Sequence, residues 1–108
     1  MAQTLKPAFA NIPAGTTDSV VVSAVSGKII RVLQYRFIVG SSATNTTFNS
    51  MGTSAGTAID CINQNASNGG AVCPYSPYGW IFTNSGESLT VTTGSGSTVG
   101  VLIGYDLI

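Results

Sequence analysis

Few side chains in this sequence could carry acid, base, nucleophilic or metal chemistry. There are four carboxylates (Asp18, Asp60, Glu87, Asp106), four cations (Lys6, Lys28, Arg31, Arg36), two thiols (Cys61, Cys73) and no histidine. Without imidazole, neither a Ser-His-Asp nor a Cys-His nucleophile can be assembled. No two carboxylates stand in an obvious acid/base arrangement. Asp18, Asp60 and Asp106 are too scattered for a calcium loop and read as turn formers and solvated ends. Two thiols cannot supply the four ligands of a zinc site. Gly94-Ser95-Gly96 reads as a hairpin tip, and no Walker-type loop is present. The expectation is a protein without catalytic, cofactor-binding or metal residues, and not an enzyme.

The two cysteines leave a choice. A disulfide closing the 11 residues between them would stabilise by roughly 3 kcal/mol in the loop-entropy model. The alternative, favoured for want of an oxidising compartment, is a pair of free thiols packed as small hydrophobes. The four cations form no patch that could neutralise phosphates, so nucleic-acid binding is not expected. The N-terminus has no apolar run behind its lysine, so no signal peptide is expected. Arg31, Gln34 and Arg36 interrupt the longest apolar stretch, which excludes a helical membrane span there. These features together give the expectation of a soluble protein made in the cytosol. Asn45-Thr46-Thr47 and Asn65-Ala66-Ser67 match the glycosylation sequon but read as chance matches in an Asn/Thr-rich chain.

Recognition is the remaining chemistry, and aromatic residues carry most of it. Pro74-Tyr75-Ser76-Pro77-Tyr78-Gly79-Trp80 gathers three aromatic rings and two prolines within seven residues. Three readings stand side by side: a sugar-stacking platform, a rigid protein interface led by Tyr75 and Tyr78, and simple core filling by Trp80 with one tyrosine. Arg31 and Arg36 fall on opposite faces of an apolar strand if no bulge intervenes. At least one of them is placed to meet an acid across a subunit boundary, the alternative being a satisfied surface arginine.

The elements that hold these residues must be strands. At 108 residues the chain fits one domain, with 44% hydrophobic residues and only 7% charged. Its polar surface is therefore Ser, Thr, Asn, Gln and Gly at zero net charge, which suits a subunit packed among neighbours better than a free monomer. No helical period is present, and turn signals divide the chain into short runs rich in β-branched residues. An edge strand is expected over residues 4–10, where Pro7 fits an edge. Further strands are expected over residues 19–25, 28–40, 46–51, 71–75, 79–82 and 88–93, with a last one from Val99. A short strand near residues 58–62 interrupts a long loop. The strand over residues 28–40 is apolar on both faces, as if covered on both sides or met by a neighbouring subunit. About eight strands in two antiparallel sheets make an all-β sandwich, jelly-roll-like, with an immunoglobulin-like sandwich still open.

Several motifs occur in a familiar order. Gly27-Lys28-Ile29-Ile30-Arg31-Val32-Leu33-Gln34-Tyr35 resembles a strand found in many small phage virion proteins. Asn68-Gly69-Gly70, the run from Pro74 to Trp80, Ser85-Gly86-Glu87-Ser88-Leu89 and the closing Gly104-Tyr105 resemble later parts of the same proteins. The likeness covers residues 15–108 and points to jelly-roll proteins of tailed-phage particles, often head decoration (cement) proteins. It implies a homotrimer that binds the major capsid protein on the virion surface and stabilises the shell. A fibre or head-appendage domain binding host surface glycans is the alternative. On this expectation residues 1–14 form an N-terminal arm or edge strand that contacts the shell or a neighbouring copy, and residues 15–108 form the sandwich. The arm contributes Leu5, Lys6 and Phe9 to the expected interface, beside Arg31, Arg36, Tyr75 and Tyr78. Cys61 and Cys73 are no part of the pattern.

Overall fold

Alternating β-branched and small polar residues build ten β-strands in a computed structural model that describes residues 5–108. They are β1 (Lys6–Ile12), β2 (Ser19–Val22), β3 (Ile30–Val39), β4 (Thr44–Met51), β5 (Thr57–Ala58), β6 (Asn63–Asn65), β7 (Gly70–Cys73), β8 (Ile81–Phe82), β9 (Ser88–Thr93) and β10 (Val99–Leu107). Thr4, the expected start of the first strand, lies outside the described residues. No helix occurs among them.

The pairing is nested. The first strand pairs with the last, β2 with β9, β3 with β7 and β8, and β4 with β5 and β6, all antiparallel. This long ribbon is rolled so that β10 also pairs with β3, and β9 with β4. Two sheets result, ordered β1-β10-β3-β7 with β8 also on β3, and β2-β9-β4-β5 with β6 also on β4. If β5/β6 and β7/β8 are each counted as one broken strand, eight strands wind as a jelly roll. That order, with the first strand beside the last, replaces the immunoglobulin-like alternative.

The expected strand at residues 58–62 is corrected. Thr57–Ala58 and Asn63–Asn65 pair with one edge of β4, and of the residues between them Ile59 still donates its N–H to the Phe48 carbonyl at 3.0 Å. Pro74 and Pro77 break the other strand, because neither can donate to a ladder.

The core lies between the sheets. Ile12, Val32, Phe37, Val39, Phe48, Leu89, Val91, Val99, Val101 and Ile103 are fully or almost fully buried there. Tyr35, Phe37 and Phe48 form a ring cluster with centroids 5.1–5.3 Å apart. Ile12 joins this core from β1, and every residue of β1 faces a partner on β10. Within the expected N-terminal segment, Lys6–Ile12 thus forms an edge strand of the sandwich.

Candidate functional site

The site follows from one irregularity in β3. Gln34 faces Gly104 on β10, but Val32 faces Tyr105, so β3 carries one extra residue, Leu33. The bulge reverses the strand's alternation. Phe37 and Val39 point into the core on one side of it, and Ile30 and Val32 on the other. Arg31 and Arg36 therefore share the outer face, contrary to the expectation of opposite faces, which assumed an unbroken alternation.

The bulge also receives the aromatic segment. Ser76 N donates to the Leu33 carbonyl at 2.9 Å, and Trp80 N to the Val32 carbonyl at 2.8 Å. Gly79 sits at φ +84°, and a Cβ there would lie 2.5 Å from Cγ of Arg31, so the loop presses directly on the arginine stem. Trp80 Nε1 donates to the Pro74 carbonyl at 2.7 Å, tying the loop to itself. Trp80 remains 48% exposed and Tyr78 83%, with Tyr75 and Phe82 also open to solvent. Core filling by Trp80 is thus replaced by a rigid exposed aromatic outcrop.

Beneath that outcrop, Arg31 Nε and Nη2 donate to the two oxygens of Asp106 at 2.9 and 2.7 Å. The hydrogen bond to Asp106 raises the guanidinium pKa further, against partial desolvation. Arg31 finds its acid within its own chain, on the neighbouring strand.

Arg36 differs. Reading across the outer face, Phe9 (β1), Leu102 (β10), Arg36 (β3) and Val72 (β7) stand in one cross-strand ladder. The adjacent row holds Asn11, Gly100, Ile38 and Gly70. Phe9 is 77% exposed and Val72 71%, with Ile38 and Leu102 also exposed. Gly100 supplies no side chain, and a Cβ there would approach nothing closer than Asn11 Oδ1 at 3.6 Å. The result is an open groove of ≈ 510 Å³ bounded by Phe9, Asn11, Arg36, Ile38, Gly100 and Leu102. A smaller hollow of ≈ 240 Å³ continues past Arg36 to Val72 and Pro74. Arg36 makes no ion pair among the described residues. At the lower end, Leu5 lies over Gly104, and Lys6 is exposed at the start of β1.

The structure therefore brings Phe9 and Arg36 into one ladder, with Leu5 at its margin and Arg31, Tyr75 and Tyr78 in the neighbouring outcrop. Leu102, Ile38 and Val72 were not among the expected site residues. Leu102 had a signal, as the one large apolar residue on the Gly100/Gly104 face of β10.

The outer face of the opposite sheet is mostly polar, with Val20 exposed beside Thr90. The Asp18 carboxylate accepts from Thr90 Oγ1 at 3.0 Å, Asn49 Nδ2 at 3.2 Å and Gly56 N at 2.9 Å. Thr92 Oγ1 accepts from Asn49 Nδ2 and from Asp18 N. Glu87 accepts from Ser50 and Asn84. Both carboxylates act as internal ties between strands and turns.

Cys61 and Cys73 are free thiols. Cys73 stands across from Tyr35, whose phenol is pushed well above the ordinary tyrosine value, first by burial and then by its hydrogen bond with Cys73. Asp60 and Cys61 add to that rise. A phenol held protonated in this way serves packing, not proton abstraction. Among the described residues no cluster of three or more Cys, Asp or Glu is placed to hold a metal ion.

No family model matches the chain, and no curated protein matches it. Among solved structures, the virus-like particle of extra small virus from the giant freshwater prawn Macrobrachium rosenbergii is similar at 14% identity. The match covers 97% of this chain and 80% of that one, with a TM-score of 0.38. At that level the assignment of an all-β, jelly-roll sandwich stands on the strand pairing of this chain itself.

Proposed function

We propose that this chain is a structural virion subunit, a decoration or cement protein that docks on the capsid surface through the outer face of the β1-β10-β3-β7 sheet. The carrying observation is the exposed ladder of Phe9, Leu102, Arg36 and Val72, continued by Ile38 and Leu5. A soluble domain seldom leaves so contiguous an apolar sheet face without a partner. The charge-poor composition and the phage-like motifs support the same reading. On this proposal the partner is the major capsid protein, the copies form a homo-oligomer, a trimer by the motif likeness, and stabilisation comes from buried area alone. The test is light scattering of the purified protein followed by co-sedimentation with undecorated phage capsids. Pelleting with the shells is expected; a protein that stays in the supernatant at every concentration overturns the proposal.

One observation favours a second reading, a fibre or head-appendage domain that binds host surface glycans. Tyr75, Tyr78 and Trp80 are all exposed on one braced loop, as a sugar-stacking platform requires. A glycan array decides it: binding lost in Trp80→Ala supports this reading, and a blank array removes it.

A further inference from the structure

The docking face carries a charge without a counter-charge, and this specifies its partner. Arg36 stands in the centre of the ladder between Leu102 and Val72, flanked by apolar groups and paired with no acid among the described residues. Arg31, on the same face, is already held by Asp106. Asp18 is engaged with Thr90, Asn49 and Gly56, and Glu87 with Ser50 and Asn84, while Asp60 accepts from Cys61 N through Oδ1 and keeps a buried Oδ2 with no hydrogen-bond partner.

A second copy stacked on this face about a two-fold axis through Arg36 would set Arg36 against Arg36 in an apolar contact. Two like charges desolvated together oppose association. We infer that this face selects a different protein, whose apolar surface brings one Asp or Glu carboxylate to Arg36, and rejects a second copy paired about Arg36. Gly100 fits the same partner. The gap it leaves between Asn11 and Ile38 admits an apolar side chain beside the carboxylate. Planar, two-pronged donation makes arginine better suited than lysine to orient that carboxylate. The inference rests on the docking face proposed above and adds its selectivity.

The chain itself supplies the probe. Arg36→Glu converts one copy into an apolar surface bearing a carboxylate at the required place. Wild type and R36E are each measured alone and then mixed, by sedimentation velocity. The mixture is expected to form a species heavier than either protein alone, with apparent affinity at least about tenfold above self-association of either component. Phe9→Ser in the wild-type partner is expected to abolish it. Arg36→Asp serves as an independent second carboxylate, and circular dichroism confirms that each variant is folded. A mixture that behaves as the sum of its parts with both variants overturns the inference. So does wild-type self-association that Phe9→Ser dissolves, because the occupant would then be a second copy. Because no shell is present, these outcomes are separate from those of the co-sedimentation assay. Charge selection failing while shells still bind refutes only this inference; the converse refutes only the virion role.

Discussion

Two phenylalanines on strands of one sheet, separated by β10, should respond oppositely to the same substitution. Phe37 is 1% exposed and packs against Tyr35 and Phe48, whereas Phe9 is 77% exposed on the outer face. Phe37→Ala removes a buried ring and leaves a cavity, at a cost of about 3–5 kcal/mol. That is a large share of the ~5–15 kcal/mol that stabilises a domain. At roughly 4–8 °C per kcal/mol for a chain of this size, the melting temperature should fall by about 12 °C or more. Phe9 keeps only about a quarter of its surface from water, so Phe9→Ala should cost about 0.5 kcal/mol from area burial. Urea titration of the purified variants reads both values, and co-sedimentation with capsids reads docking. Phe9→Ala should lower the urea midpoint only slightly, by about 0.5 M or less, and lose most shell binding. A stability loss above about 2 kcal/mol for Phe9→Ala would refute the reasoning, because the ring would then be covered in the free protein. Full shell binding by a folded Phe9→Ala would remove this face as the docking surface.

Two further outcomes follow from the packing of the same sheet. A Cβ on Gly70 would overlap the Phe37 carbonyl oxygen and lie 2.9 Å from its carbon. Gly70→Ala should therefore push β7 off β3 and destabilise by about 1–3 kcal/mol, with faster amide exchange across residues 70–73; unchanged exchange would contradict the close approach. The Tyr35 phenol has its folded-state pKa raised by burial, so between its unfolded value of about 10 and the higher folded value the native state binds the extra proton. Its contribution is whole below pH ~10 and is lost as pH rises beyond that. Unfolding curves taken from pH 9 to 12 should accordingly fall more steeply for wild type than for Tyr35→Phe, and parallel curves would refute the assignment.

What the sequence revealed depended on whether the cause was local. Ser88–Thr93 and Val99–Leu107 follow the period-two pattern closely, and both strands appear where that pattern puts them. Pro7 marks an edge strand because a proline cannot donate to a ladder, and β1 is an edge. The bulge at Leu33 was not legible, since it arises where β3 meets β10 at Gly104/Tyr105, seventy residues away in the chain. From that one residue follow the shared face of Arg31 and Arg36 and the seat of the aromatic loop. The nested strand order was equally hidden, because hydrophobic alternation reports which face a residue takes and not which strand lies beside it. Arg31 and Arg36 look alike in sequence; only the position of Asp106 distinguishes a satisfied arginine from an open one.

The two outer faces show why this asymmetry bears on function. On the β2-β9-β4 sheet, Thr90, Thr92, Asn49 and Asp18 bond to one another, with Thr90 and Asn49 themselves buried, so these polar groups are internally matched. Such a face gains little from a partner, because each bond to it would replace one already made. On the β1-β10-β3-β7 sheet the situation is reversed. Phe9, Leu102, Ile38 and Val72 would lose water-exposed apolar area on contact, and Arg36 has no ion pair to give up among the described residues. On the proposed docking role, burial would therefore favour the β1-β10-β3-β7 face over the other. On the proposed virion role, a protein that coats a surface as one layer would turn the apolar sheet toward that surface and the threonine-rich sheet toward solvent.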